Sequence, residues 1–127
     1  MTDSDDSGNA DDITEFNVEF TDTGQADADA AYLWHSRRSP DYAIKWYAGL
    51  LRAAESLSIF PHRCTVIPES DRFPGILVRQ LLYGRGHNTY RILFFLVDTD
   101  GDGSEDTVRI FRVKHGARRF SDSDDPS

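Results

Sequence analysis

The sequence predicts an α+β domain: an N-terminal strand, an antiparallel two-helix hairpin, and then a three-stranded antiparallel meander. Three observations carry that reading. Phe16, Val18 and Phe20 alternate with polar residues, which is strand spacing with one buried face. Two stretches between residues 22 and 59 repeat apolar residues at helical spacing. Segments 77–83, 90–97 and 107–115 are rich in branched and aromatic side chains and are joined by short turns, as consecutive antiparallel strands are.

The elements follow in order. Asp22 is placed to cap the first helix, with Gln25 three residues on in capping-box register. Ala26, Ala30, Leu33 and Trp34 fall on one stripe, and Arg37 and Arg38 suit the negative end of the helix dipole. Ser39 and Pro40 restart the chain as N-cap and first-turn proline. Ala43, Trp46, Tyr47, Leu50, Ala54 and Leu57 continue a helical period to about Ile59, and Pro61 ends it. Gly49 either weakens this helix or lets something pack close. Each helix has one apolar stripe to cover, and the sheet supplies the surface. Segment 61–75, with Pro61, Pro68, Pro74 and Gly75, reads as a surface loop with a short extended piece at 64–67. Gly84 and Gly86 serve the first meander turn, and residues 98–106 form the second. In the last strand Val108 and Ile110 share one face while Phe111 and Val113 share the other. A bulge, or two covered faces, would explain that break.

Composition bounds the class. A chain of 127 residues suits one domain, and a hydrophobic share of 39% permits a core. No apolar run approaches the ~20 residues of a membrane span, and the acidic N-terminus does not read as a secretory signal. Cys64 is the sole cysteine and cannot form an internal disulfide. A soluble, cytoplasmic protein without a membrane association is expected. The net charge of −8 is unevenly spread. Residues 1–15 and 121–127 hold nine acids and no base, and removing them leaves the body at +1. The expected organisation is a disordered acidic tail over 1–14, one domain over 15–120, and a second disordered acidic tail over 121–127. Such tails aid solubility, or mask a basic surface on their own domain.

That basic surface is the informative feature. Residues 107–120 carry Arg109, Arg112, Lys114, Arg118 and Arg119 with no acid, and Arg79 and Arg91 lie on the two preceding strands. Guanidinium groups on a rigid sheet can hold phosphates bidentately. The same residues could equally extend to solvent or pair with Glu55, Glu69 and the turn aspartates. Metal chemistry is not expected. Asp98, Asp100, Asp102 and Gly103 imitate the start of a calcium loop, but position 12 is Arg109 and the flanks read as strands, so an acidic hairpin turn is the better reading. His35, His62, His87 and His115 lack the i, i+4 spacing of a zinc pair. No glycine-rich phosphate loop or nucleophile elbow occurs, and no cofactor is expected.

Four stretches together resemble the RelE/ParE toxin superfamily, the plasmid-stabilisation type of type II toxin–antitoxin system. They are AIKWYAGLLRAAESLSIFP at 43–61, Arg79 in VRQL, Tyr90 and Arg91 in YRILF, and the closing VRIFRVKHGARR. The match runs over roughly residues 16–120. The resemblance implies a twisted antiparallel sheet with a helical hairpin on one face. It also implies a cognate antitoxin that wraps the toxin and blocks its basic face. RelE-like members cut messenger RNA in the ribosomal A site without a metal, whereas ParE-like members inhibit DNA gyrase.

By the same resemblance Arg79 matches the sheet arginine and would clamp phosphate, with Arg91 beside it. His115 matches the position of an acid or base near the chain end, and Glu69 is a candidate base. Arg112, Lys114, Arg118, Arg119 and Tyr90 would line the binding surface. The chain departs from the nuclease pattern in two places. Its 61–75 loop offers Arg63 and Arg72 in place of lysines, and Phe120 stands where a catalytic tyrosine would be useful. The molecular target therefore stays open between ribosome-bound messenger and gyrase, with a non-toxic binding module of the same fold as a third reading. These expectations share one premise: that Arg79, Arg91, His115 and the basic residues of the last strand converge as a single patch.

Overall fold

The computed structural model describes residues 15–116. Both acidic tails, and with them Arg118, Arg119 and Phe120, lie outside the described residues. The fold is α+β. Its elements are β1 (Asn17–Phe20), α1 (Asp22–Ser36), α2 (Pro40–Glu55), β2 (Thr65–Val66), β3 (Arg79–Tyr83), β4 (Tyr90–Val97) and β5 (Thr107–His115). The strands form one sheet in the order β1-β5-β4-β3-β2.

The sheet is mixed. β3, β4 and β5 pair antiparallel in sequence, whereas β1 lies parallel to β5, with Val18 opposite Val108 and Phe20 opposite Ile110. The helices carry the chain across one face from β1 to β2 at the far edge, and the antiparallel strands return it to β5 beside β1. The break in the β5 pattern has both of its anticipated causes. Leu93 pairs with Arg112 but Phe94 pairs with Ile110, so Phe111 is the extra residue of a bulge. Both faces of the sheet are also covered. Trp46, Leu50, Leu57, Ile92, Phe94, Val108 and Ile110 build the core beneath the helices. Ile67, Val78, Leu93, Phe95 and Phe111 build a second cluster on the other face. Each fully buried Leu, Ile or Phe contributes roughly 1.5–3 kcal/mol.

The segment read as a surface loop makes that second cluster possible. The Ser70 hydroxyl donates to the Ile76 carbonyl at 3.0 Å and accepts from the Val78 N–H at 2.9 Å. This folds 67–78 back, so that Ile67, Phe73 and Ile76 cover the outer face.

Helix α1 differs from its expected form. Thr21, not Asp22, is the N-cap, its Oγ1 accepting from the Gly24 N–H at 3.0 Å. Gln25 does not close a capping box; its amide donates to Asp29 Oδ1 and to the Tyr47 hydroxyl, both at 2.9 Å, tying α1 to α2. The buried positions are Gly24, Ala28 and His35. The stripe expected to be covered is turned outward, with Leu33 54% and Trp34 46% exposed. The cause is close packing. A Cβ on Gly24 would stand 2.6 Å from the Ile110 carbonyl oxygen, so the helix approaches β5 on its smallest residues.

Helix α2 buries Ala43, Trp46, Leu50 and Ala54, the face its period predicts. Ser39 caps it, and its regular turns stop at Glu55, with a tighter turn at Ser56–Ser58. Gly49 does admit a close neighbour, the Tyr83 hydroxyl, which donates to the Trp46 carbonyl at 2.7 Å.

Candidate functional site

Side-chain alternation sorts the basic residues. In β4, Tyr90, Ile92 and Phe94 face the helices, so Arg91 faces away from them. Arg79 pairs with Phe94 and therefore lies on the helix side. Its guanidinium donates to the carbonyls of Cys64 at 2.8 Å and His62 at 3.2 Å. It borders a separate cleft of about 350 Å³ with Leu77, Phe95 and Glu105. Among the described residues the basic side chains do not converge on the single cationic patch expected from the sequence. The period of two in strands puts Arg79 and Arg91 on opposite faces of the sheet.

The other basic residues separate further. Arg112 donates to Asp27 of α1, Nε to Oδ2 at 2.7 Å. Lys114 sits opposite Arg91 in the register and is only 5% exposed, so it is a buried cation and not a surface contact. Tyr90, expected on the binding surface, is 6% exposed and belongs to the core, its hydroxyl 3.0 Å from His35 Nε2. A tyrosine hydroxyl in a core requires such a partner.

What the fold does assemble is a groove on the face away from the helices. It has a volume of about 710 Å³ and is lined by Glu69, Gln80, Leu82, His87, Arg91 and His115, with Gly86, Thr89 and Gly116 at its end. Three candidates separated in the chain thus border it: Glu69 and Arg91 from the outer face, and His115, which sits opposite Tyr90 in the register and reaches the groove from the end of β5. The Arg91 Nη2 lies 3.6 Å from Glu69 Oε2, and its Nε donates to Gln80 Oε1 at 2.8 Å. The His115 Nε2 lies 2.6 Å from the His87 carbonyl oxygen. A carbonyl only accepts, so this nitrogen carries the hydrogen and the tautomer is set. The Tyr90 ring meets the His115 ring edge-on at 5.4 Å and supports it from the core side.

The groove can hold a flexible anionic chain. Its volume lies within the ordinary range of ligand sites. Arg91 is the cation of its wall, with Glu69 as partial counter-charge. A carboxylate, an imidazole and a guanidinium together supply a base, an acid and an anion clamp. Sequence reasoning missed Gln80, Leu82 and His87. Gln80 and Leu82 had a usable signal, since they alternate with Leu81 on a strand whose other face must be buried. His87 had none, because its contribution is a backbone carbonyl.

A second cleft of about 400 Å³ lies between α1 and the end of β5, lined by Asp27, Ala30, Ala31, Trp34, Tyr90, Val113 and His115. The Arg38 guanidinium carbon stacks 3.6 Å above the Trp34 ring. In the β4–β5 turn, Asp98 accepts from the N–H groups of Gly101 and Gly103, both at 2.8 Å, and Asp106 accepts from Thr99 and Thr107. Asp98, Asp100 and Asp106 are the acids close enough to hold a metal among the described residues. No helix among the described residues is long and apolar enough to cross a membrane.

Comparison with protein-family models and with curated proteins finds no significant match to this chain.

Proposed function

We propose that this chain is the toxin of a toxin–antitoxin pair, of RelE/ParE type, and that it cleaves messenger RNA on the ribosome. One observation carries the reading: Glu69, Arg91 and His115 border the same groove, Glu69 and Arg91 from the face away from the helices and His115, opposite Tyr90 in the register, from the end of β5. A strand, two helices and an antiparallel meander with the helices over one face support the family resemblance.

The chemistry follows from the three side chains. Glu69 takes the proton from a ribose 2′-hydroxyl. The 2′-oxygen attacks the adjacent phosphorus, forming a 2′,3′-cyclic phosphate, and the 5′-oxygen of the next nucleotide leaves. The imidazolium form of His115, its Nε2–H held by the His87 carbonyl, gives that oxygen its Nδ1 proton, and Arg91 stabilises the charge on the phosphoryl oxygens. No metal is required by this scheme. An acidic, amphipathic antitoxin segment would complement the groove in charge and block it.

The test is induced expression with messenger cleavage read in a translation extract. Wild type should arrest growth and cut ribosome-bound messenger, and Arg91→Ala and His115→Ala, folded to the same extent, should do neither. Growth arrest without cleavage, or cleavage that survives both substitutions, removes the ribonuclease reading.

The placement of Arg79 favours a second reading. Its guanidinium holds the carbonyls of Cys64 and His62, away from the groove, which takes the arginine that the resemblance singles out away from the reaction. A ParE-like gyrase inhibitor needs no such group. Inhibition of supercoiling by purified protein, with messenger left intact, is the result that would establish it.

A further inference from the structure

We infer that Gln80 is a specificity-determining residue that selects bases carrying a keto oxygen, guanine and uracil, over those carrying an amino group there, adenine and cytosine. The inference rests on the proposal that the groove binds single-stranded RNA.

Arg91 fixes which way the Gln80 amide is turned. Its guanidinium has five donors and no acceptor. The Gln80 atom that meets Arg91 Nε at 2.8 Å must therefore be the amide oxygen, which settles the one ambiguity an amide normally leaves. With Oε1 held by Arg91, the amide nitrogen is the end that Gln80 offers the groove. Gln80 lies on the outer face of β3, opposite Leu93 in β4, and alternates with Leu82, which is exposed on the same groove wall. The exposed Leu82 side chain gives a base an apolar surface to pack on, and the amide beside it gives that base's edge a donor. A donor N–H matches O6 of guanine or O4 of uracil. It opposes the N6 and N4 amino groups of adenine and cytosine, where two donors face each other.

Arg91 links this reader to the reaction. The same guanidinium approaches Glu69 through Nη2 and fixes Gln80 through Nε. The base is thus read beside the phosphate clamp, and a mismatched base would displace the clamp as well as lose a hydrogen bond.

Glu in place of Gln80 tests this directly. Gln80→Glu keeps the size and still accepts from Arg91, but it offers the groove an acceptor. Gln80→Ala removes the reader. A messenger library randomised in the A-site codon, loaded on ribosomes, would be cut and the cut positions sequenced. Wild type should favour keto over amino bases at one position by about threefold to tenfold, the worth of one hydrogen bond. Gln80→Glu should invert that preference, and Gln80→Ala should flatten it. Cutting with the same base profile in all three proteins overturns the inference and leaves the ribonuclease reading standing. No cutting by wild type removes both.

Discussion

The Asp27 carboxylate accepts from Arg112 Nε at 2.7 Å and from the adjacent Val113 backbone N–H at 2.9 Å. β1 ends opposite Ile110, so beyond that point no strand among the described residues lies beside the outer edge of β5. A helix side chain there supplies the acceptor that a neighbouring strand would have supplied. Asp27→Ala leaves a backbone donor and a mostly buried guanidinium without their acceptor and should cost about 2–3 kcal/mol. Asp27→Asn, which keeps one oxygen, should cost about half as much. Urea midpoints at unchanged m-value measure both. A loss below ~0.5 kcal/mol for the alanine would mean that water satisfies this edge.

His35 predicts an acid-side loss of stability. It is 4% exposed and packed among the rings of Trp34, Tyr42, Trp46 and Tyr90. Burial lowers its pKa, and the charges of Arg38 and His115 act in the same direction. The folded protein therefore keeps His35 neutral where the unfolded chain, with a pKa of about 6.5, takes up a proton. This stability is fully present above about pH 6.5 and declines as the pH falls from there towards the lower folded value. His35→Gln retains a hydrogen-bonding partner for the Tyr90 hydroxyl but does not titrate. Melting followed from about pH 7.5 to 5.5 should show a drop in wild type that is reduced in His35→Gln. Equal slopes would assign the effect to other groups.

Gly24→Ala should destabilise although it raises helix propensity. The new Cβ would meet the Ile110 carbonyl oxygen at 2.6 Å, and that atom is backbone. The first turn of α1 must then lift from β5. We expect a cost of about 1–3 kcal/mol, against a propensity gain of under about 1 kcal/mol. A melting temperature at or above wild type would show that the helix can shift without loss.

This glycine also explains why only part of the fold was legible in the sequence. The α2 face was readable because Trp46, Leu50 and Ala54 are all apolar and periodic. The α1 face was not, because it buries Gly24, Ala28 and His35, which carry almost no hydrophobic signal, while Leu33 and Trp34 remain exposed. The meander was readable because its pairings are local in the chain. The β1–β5 pairing joins residues 90 apart, such as Val18 and Val108, and no local pattern encodes it. At the site, residue types were legible and sidedness was not. Arg79 and Arg91 look equivalent as arginines on adjacent strands until the register assigns each a face.

That sidedness yields the sharpest functional contrast. Arg91 borders the groove with Glu69 and His115, whereas Arg79 fastens the chain at Cys64 and His62 on the other face. Removing a charge-stabilising donor typically lowers the rate about 10²–10³-fold. Arg91→Ala should therefore lower messenger cleavage by about that factor in the folded protein, with a stability cost of about 1–2 kcal/mol from the lost contacts to Gln80 and Glu69. Arg79→Ala leaves two carbonyls without their charged donor and should cost about 1–3 kcal/mol while retaining cleavage wherever the protein is folded. Arg79→Lys should recover part of the stability, since one ammonium can reach one carbonyl but cannot reproduce the planar fork. Melting and cleavage measured on the same preparations separate the two roles. Cleavage lost in a folded Arg79→Ala and kept in Arg91→Ala would move the reaction to the helix side of the sheet, where the cleft beside Arg79 is bordered by Glu105.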